Sequence, residues 1–122
     1  MKPAAFNYAK PSSVEEVLGL LSEYGDEATI LAGGQSLIPT MNMRLSAPAL
    51  VIDINGLDNL NGISDEGDRL RIGALTRHVE IENSELIASH APLITLAMPS
   101  IAHPAIRNRG TFGGSVAMAD PA

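Results

Sequence analysis

The stretch Ala32-Gly33-Gly34-Gln35-Ser36-Leu37 follows a short apolar run and precedes a helical pattern. Glycines at such a strand-to-helix corner let the backbone come close to a ligand. They also leave amide N–H groups at the helix N-terminus, where the dipole favours an anion. Gln35 and Ser36 add side-chain donors. No lysine is near, so a phosphate here would be held mostly by backbone amides. The spacing is neither G-x-G-x-x-G nor a phosphate loop ending in Lys-Ser/Thr. A Gly-Gly pair between strand and helix is more often simple turn geometry.

A second pair lies in Arg107-Asn108-Arg109-Gly110-Thr111-Phe112-Gly113-Gly114-Ser115. Thr111 and Ser115 can donate to phosphate or polyol oxygens, and Gly113 and Gly114 leave room for close approach. Asp120 can accept from a hydroxyl or a ring N–H. The competing reading is a bulge or tight turn with incidental arginines. Two Gly-Gly anion nests, one in each half of the chain, make a shared diphosphate ligand the expectation.

These loops need elements to hold them. Residues 3–11 read as an extended, Pro-flanked segment. Ser13 and Glu16 have capping-box spacing ahead of a helix carrying Val14, Val17, Leu18 and Leu21, and Gly25 suits its end. Residues 28–32 and 50–54 read as short strands, the former buried on both faces. A turn and short helix containing Pro39 occupy residues 35–44. This alternation predicts parallel strands in an α/β unit. Residues 60–64 and 69–73 then flank Asp65-Glu66-Gly67-Asp68, a hairpin signal with a solvated acidic loop. Thr76 is expected to cap a short helix with Val79 and Ile81. A helix over residues 84–98 should split near Pro92. The fold class is therefore α/β (α+β): a small parallel-strand βαβ subdomain over residues 1–57, followed by a mainly antiparallel α+β subdomain over 58–122.

Composition narrows the function. The 122 residues suit one globular domain. Aromatics are only 3%, so Leu, Ile, Val, Ala and Met must build the core. The net charge of -6, with scattered Lys and Arg, gives no basic stripe for nucleic acid or an anionic membrane. No cysteine is present, which excludes disulfides and a Cys-ligated iron–sulfur cluster within this sequence. Pro92, Pro99 and Pro104 interrupt the apolar stretches, so no membrane insertion is expected. No secretory signal is evident, and a cytoplasmic location is the default expectation.

Other reactive residues are set aside. His78, His90 and His103 lack metal-ligand spacing, so no metal site is expected, and His78 and His90 read as surface or helix-end residues. Ser100 and His103 have no nucleophile elbow or orienting acid, which argues against a hydrolase. Met41, Met43, Met98 and Met118 read as core fillers.

Residues 30–39, residues 106–117 and the closing Ala119-Asp120-Pro121-Ala122 resemble the FAD-binding medium subunit of molybdenum hydroxylases, the carbon monoxide and xanthine dehydrogenase family. Val51-Ile52-Asp53-Ile54-Asn55 and Ile72-Gly73-Ala74-Leu75-Thr76 are similar too, in the expected order. The resemblance implies a PCMH-type FAD-binding fold spanning residues 1–122, truncated, because family members are more than twice this length. It implies that both Gly-Gly loops bind the FAD pyrophosphate and that residues near the second reach the ribityl chain and flavin ring. By position, the FAD-contacting residues are Ala32, Gly33, Gly34, Gln35, Ser36, Leu37, Gly110, Thr111, Gly113, Gly114, Ser115 and Asp120. Ile101, in Ile101-Ala102-His103-Pro104, is expected beside the flavin, and no catalytic acid or base is named.

Some members of the wider superfamily carry a histidine after the first Gly-Gly, in places joined covalently to FAD. Gln35 stands there in this sequence, so non-covalent FAD is expected. Molybdopterin is implied in a large partner subunit and [2Fe–2S] clusters in a small one, with FAD passing electrons to an external acceptor. The alternatives are a stand-alone FAD-dependent oxidoreductase of the same superfamily, or a non-catalytic α/β scaffold whose glycines only make turns.

Overall fold

Leu50, Val51 and Ile52 follow one another with no polar alternation, so this segment requires cover on both faces. In the computed structural model, which describes residues 1–120, it becomes the buried central strand of a three-stranded sheet. Pro121 and Ala122, the end of the Ala-Asp-Pro-Ala segment, lie outside the described residues. The chain divides into two compact units, one of Met1–Asp58 and one from Asn59 onward.

In the first unit β1 (Asn7–Ala9) and β2 (Ala28–Leu31) both pair parallel with β3 (Leu50–Asp53), Tyr8 and Thr29 each opposite Val51. Parallel neighbours need crossovers. Helices α1 (Val14–Tyr24) and α2 (Leu37–Asn42) lie on the β1-to-β2 and β2-to-β3 connections. The Ser13 hydroxyl accepts the Glu16 N–H at 3.2 Å, as a cap should. The Glu16 carboxylate reaches back to the Ser12 N–H and hydroxyl instead of the Ser13 N–H. The return half of the capping box is thus displaced by one residue. Gly25 ends the helix at φ +52°, and its N–H donates to the Leu21 carbonyl.

The Pro-flanked segment supplies the first strand of the alternation, Asn7–Ala9, on one edge of β3. One expectation changes here: β2 lies on the opposite edge, half-buried, with Ile30 42% exposed, rather than covered on both faces.

The second unit opens with the expected antiparallel hairpin, shortened to β4 (Ile63–Asp65) and β5 (Leu70–Ile72). Leu60 falls in a 3₁₀ turn instead. Asp65 pairs with Leu70, and its carboxylate accepts the N–H of Gly67, which sits at φ +89° in the turn. Thr76 does not cap a helix. Its buried hydroxyl accepts the Gly62 N–H (3.0 Å) and donates to the Gly62 carbonyl (3.1 Å), closing the base of the hairpin. Helix α3 (His78–Glu82) therefore begins after Arg77, whose N–H is received by the Glu80 carboxylate.

The predicted break at Pro92 separates α4 (Glu85–His90), capped by Ser84, from α5 (Pro92–Ala97), in which Pro92 takes the first helical position. Helices α6 (Pro104–Arg107) and α7 (Phe112–Met118) complete the unit. Its core is Ile81, Ile87 and Met98, flanked by Ile63, Leu70, Ile72, Ile94, Ile101 and Phe112. Met41 and Met98 are buried as core fillers, whereas Met43 and Met118, at the ends of α2 and α7, are more than half exposed. No helix among the described residues is long and apolar enough to cross a membrane.

Candidate functional site

The first Gly-Gly corner joins β2 to α2. Gly34 adopts φ +72°, a conformation that costs an ordinary L-residue about 1–2 kcal/mol. The corner's carbonyls are tied down. The Gly33 carbonyl accepts from Gln35 Nε2 at 3.0 Å, the Gly34 carbonyl from the Ile38 N–H, and the Ser36 carbonyl from the Thr40 N–H and hydroxyl. The N–H groups are not. Among the described residues, no backbone N–H from 33 to 37 donates to another backbone group. Ser36 occupies the N-cap position of α2, yet its exposed hydroxyl makes no capping bond. The N-cap hydroxyls of Ser13, Ser84 and Thr111 all do. Five amides and one hydroxyl are left to serve an acceptor from outside the chain, a donor set that fits a phosphate. Helix α2 has only six residues, so these amides, more than a macrodipole, supply the attraction.

A polar network buttresses this corner. Asn55 Nδ2 donates to the Ala32 carbonyl at 2.8 Å and to Asp53 Oδ1 at 2.7 Å. Asp53 Oδ1 also accepts the Asn55 N–H, and Asp53 Oδ2 accepts the Tyr8 hydroxyl at 2.5 Å. Burial pushes the Asp53 carboxyl up. The bonds from Tyr8 and Asn55, with the nearby Lys10 charge, outweigh that and hold it below the ordinary carboxylate value. Tyr8 shifts upward, chiefly because its hydroxyl is bonded to that carboxylate. The run Val51-Ile52-Asp53-Ile54-Asn55 is visible in the sequence, but Tyr8 joins it only through strand pairing.

The second Gly-Gly pair is built differently. Gly113 and Gly114 form the first turn of α7, so the segment is neither a bulge nor an open loop. Its amides are used within the unit: Phe112 N–H to the Thr76 carbonyl (2.9 Å), Gly113 N–H to the Ala74 carbonyl (2.8 Å), and Gly114 N–H to the Thr111 hydroxyl (3.2 Å). The glycines are also packed. A Cβ on Gly113 would fall 2.6 Å from the Ala74 Cβ, and one on Gly114 would fall 2.7 Å from Thr111 Oγ1. Gly110 and Thr111 are buried, while Gly114, Ser115 and Asp120 lie on the exposed side. Ile101 is half-buried against the unit's core, and its carbonyl accepts from Arg107. What this segment turns to its exposed side is therefore side chains, the Ser115 hydroxyl among them, rather than open amides.

Two residues take unforeseen roles. Arg107 is not a solvent-facing cation: only 8% exposed, it donates to Glu82 at 3.2 Å and to the Ile101 carbonyl at 3.0 Å, bracing the end of α6. His78 is not a surface residue either. It is 3% exposed, with Nε2 3.1 Å from Ser115 Oγ. Burial, then the Arg107 charge, hold its pKa below the ordinary 6.5, so it is neutral at pH 7. The sequence carried one signal of this: His78 and Ile81 share the inward face of α3 at i, i+3 spacing. His90, by contrast, ends α4 on the surface, 3.5 Å from Asp65.

A family model described as "FAD binding domain in molybdopterin dehydrogenase" matches residues 4–122. The caffeine dehydrogenase subunit beta of Pseudomonas sp. (strain CBB1) is 48% identical over all of this chain and 41% of its own length. The carbon monoxide dehydrogenase medium chain of Hydrogenophaga pseudoflava is 42% identical over 99% of this chain and 42% of its own. The solved structure of carbon monoxide dehydrogenase from H. pseudoflava lacking the Mo-pyranopterin moiety superposes with a TM-score of 0.96 at 43% identity, over 99% of this chain and 42% of that one. Quinoline 2-oxidoreductase from Pseudomonas putida 86 gives a TM-score of 0.93 at 38% identity, over 98% and 42%. The chain thus spans about two fifths of the length of these relatives.

Proposed function

Because this chain belongs to the family of FAD-binding domains of molybdopterin dehydrogenases, we propose that it holds FAD in a molybdenum-containing hydroxylase or dehydrogenase. The observation that carries this reading is the open set of amides at residues 33–37, beside a Ser36 hydroxyl that caps nothing. Bound there, FAD supplies the redox chemistry that links one-electron iron–sulfur centres to an external acceptor.

This chain's own residues bind and orient. The amides of Gly33, Gly34, Gln35, Ser36 and Leu37 would donate to the pyrophosphate oxygens of FAD. Gln35 fixes the Gly33 carbonyl so that these amides stay turned outward. Ala32 is held from behind by Asn55. In the second unit, Gly110, Thr111, Gly113 and Gly114 shape the start of α7, and Ser115 and Asp120 are assigned to ribityl or flavin polar atoms. Ile101 supplies an apolar contact for the flavin ring. Gln35 carries no nucleophile suited to a flavin bond, which supports non-covalent binding.

The partners proposed are a large molybdopterin subunit and a small [2Fe–2S] subunit, in the cytoplasm. Similarity to carbon monoxide dehydrogenase medium chains supports the partnership, and the lack of cysteine places any such cluster outside this sequence. The test is an absorption spectrum of the protein purified from its own host, followed by acid precipitation. Yellow protein that releases FAD into the supernatant, with iron and molybdenum copurifying, is expected. Protein that is colourless and ignores added FAD would overturn the reading, and flavin in the acid pellet would overturn its non-covalent part.

A further inference from the structure

His78 is a buried titratable group with no place in the flavin reading as it stands. Its Nδ1 reaches no hydrogen-bond partner, whereas Nε2 faces Ser115 Oγ. A neutral imidazole carries one N–H and one lone pair, so the pair has two possible senses. With the proton on Nδ1, Nε2 accepts from the Ser115 hydroxyl. With the proton on Nε2, the imidazole donates and the serine oxygen accepts.

Two observations select the second sense. An orphaned buried N–H is rarer than an under-satisfied acceptor, so the proton belongs on the nitrogen that has a partner. The other observation is Gly110. A Cβ built on it would fall 2.9 Å from His78 Nδ1, so a Gly110 Cα–H points at that nitrogen. A lone pair can receive such a C–H, while an N–H would oppose it. The consequence falls on Ser115. With its oxygen accepting from His78, its proton must leave in another direction, and Ser115 stands on the exposed side of α7.

We propose that His78 is a positioning residue: as the Nε2–H tautomer it turns the Ser115 hydroxyl into an outward donor to a phosphate or ribityl oxygen of the flavin nucleotide. The ligand named here rests on the FAD reading above; the tautomer does not. His78 never touches the ligand itself.

Long-range 15N–1H correlation on the 15N-histidine-labelled protein, made as its host makes it, reads the tautomer directly. Comparison with His78→Gln identifies the signal. The Nε2–H pattern at pH 7, with and without FAD, is expected. An Nδ1–H pattern or an imidazolium would overturn the inference. FAD affinity supplies the second readout. His78→Gln keeps a donor near the Nε2 position and should stay within about threefold of wild type, whereas His78→Leu and Ser115→Ala should each lose about tenfold. The double variant should lose no more than either single one. Additive losses would overturn the coupling. Wild-type protein that binds no FAD would overturn the flavin reading, and the tautomer would still decide this inference.

Discussion

The two Gly-Gly pairs share a dipeptide and a place at the start of a helix, one just before α2 and one in the first turn of α7, yet the protein uses them in opposite ways. At the first, side chains and backbone tie down the carbonyls, and the amides of residues 33–37 stay open. At the second, Ala74, Thr76 and Thr111 take up the amides, and the glycines are required because neighbouring atoms fill the space of a side chain. The backbone of the second pair thus serves the fold, whereas the amides of the first have no backbone acceptor among the described residues. A motif of small residues does not by itself say whether a ligand or the chain occupies the space it leaves. The hydrogen-bond ledger of each corner does.

Substitutions can break this contrast. Gly113→Ala should have the largest effect. Its Cβ would meet backbone and Cβ atoms of Ala74, which cannot swing aside, so a loss of about 3 kcal/mol in urea unfolding of the flavin-free protein is expected. Thr111→Ala removes a working cap and should cost about 1–2 kcal/mol in the same assay. Ser36→Ala occupies the matching position in the first corner and should behave oppositely. Its stability should stay within about 0.5 kcal/mol of wild type, while FAD affinity drops about tenfold. Equal destabilisation by Thr111→Ala and Ser36→Ala would erase the distinction. Gly114→Val belongs with the second corner: it displaces the Thr111 cap, so flavin loss in that variant reports folding rather than ligand contact.

The smallest effect sharpens the second corner alone. The folded-state pKa of His78 lies below 6.5, so as pH falls through that value the unfolded chain takes up the proton first. Stability should therefore decline from about pH 6.5 downward, levelling once the depressed folded pKa is passed. Urea unfolding at a series of pH values should show this slope, and His78→Gln should flatten it.

Much of the scaffold was legible because its signals are local. The apolar run at β3, the Ser13 cap, the hairpin turn and the break at Pro92 each depend on residues within one or two turns of one another. What escaped depends on distant partners. Thr76 is a plausible cap until Gly62 claims its hydroxyl, and Gly113 leaves room for close approach until Ala74 fills that space. Arg107 reads as an incidental arginine until Glu82 and the Ile101 carbonyl engage it. Among the candidate ligand residues, the first corner's types and order were readable. The difference between its open amides and the closed ones at residues 112–114 was not, since the acceptors Thr76 and Ala74 lie more than thirty residues away.

Amide hydrogen exchange, resolved to single residues in the protein stripped of flavin and then reloaded with FAD, tests the central claim in one experiment. Residues 33–37 should exchange rapidly without FAD and become protected with it, while residues 112–114 are protected in both states. Flavin that binds and leaves exchange at residues 33–37 unchanged would contradict the account.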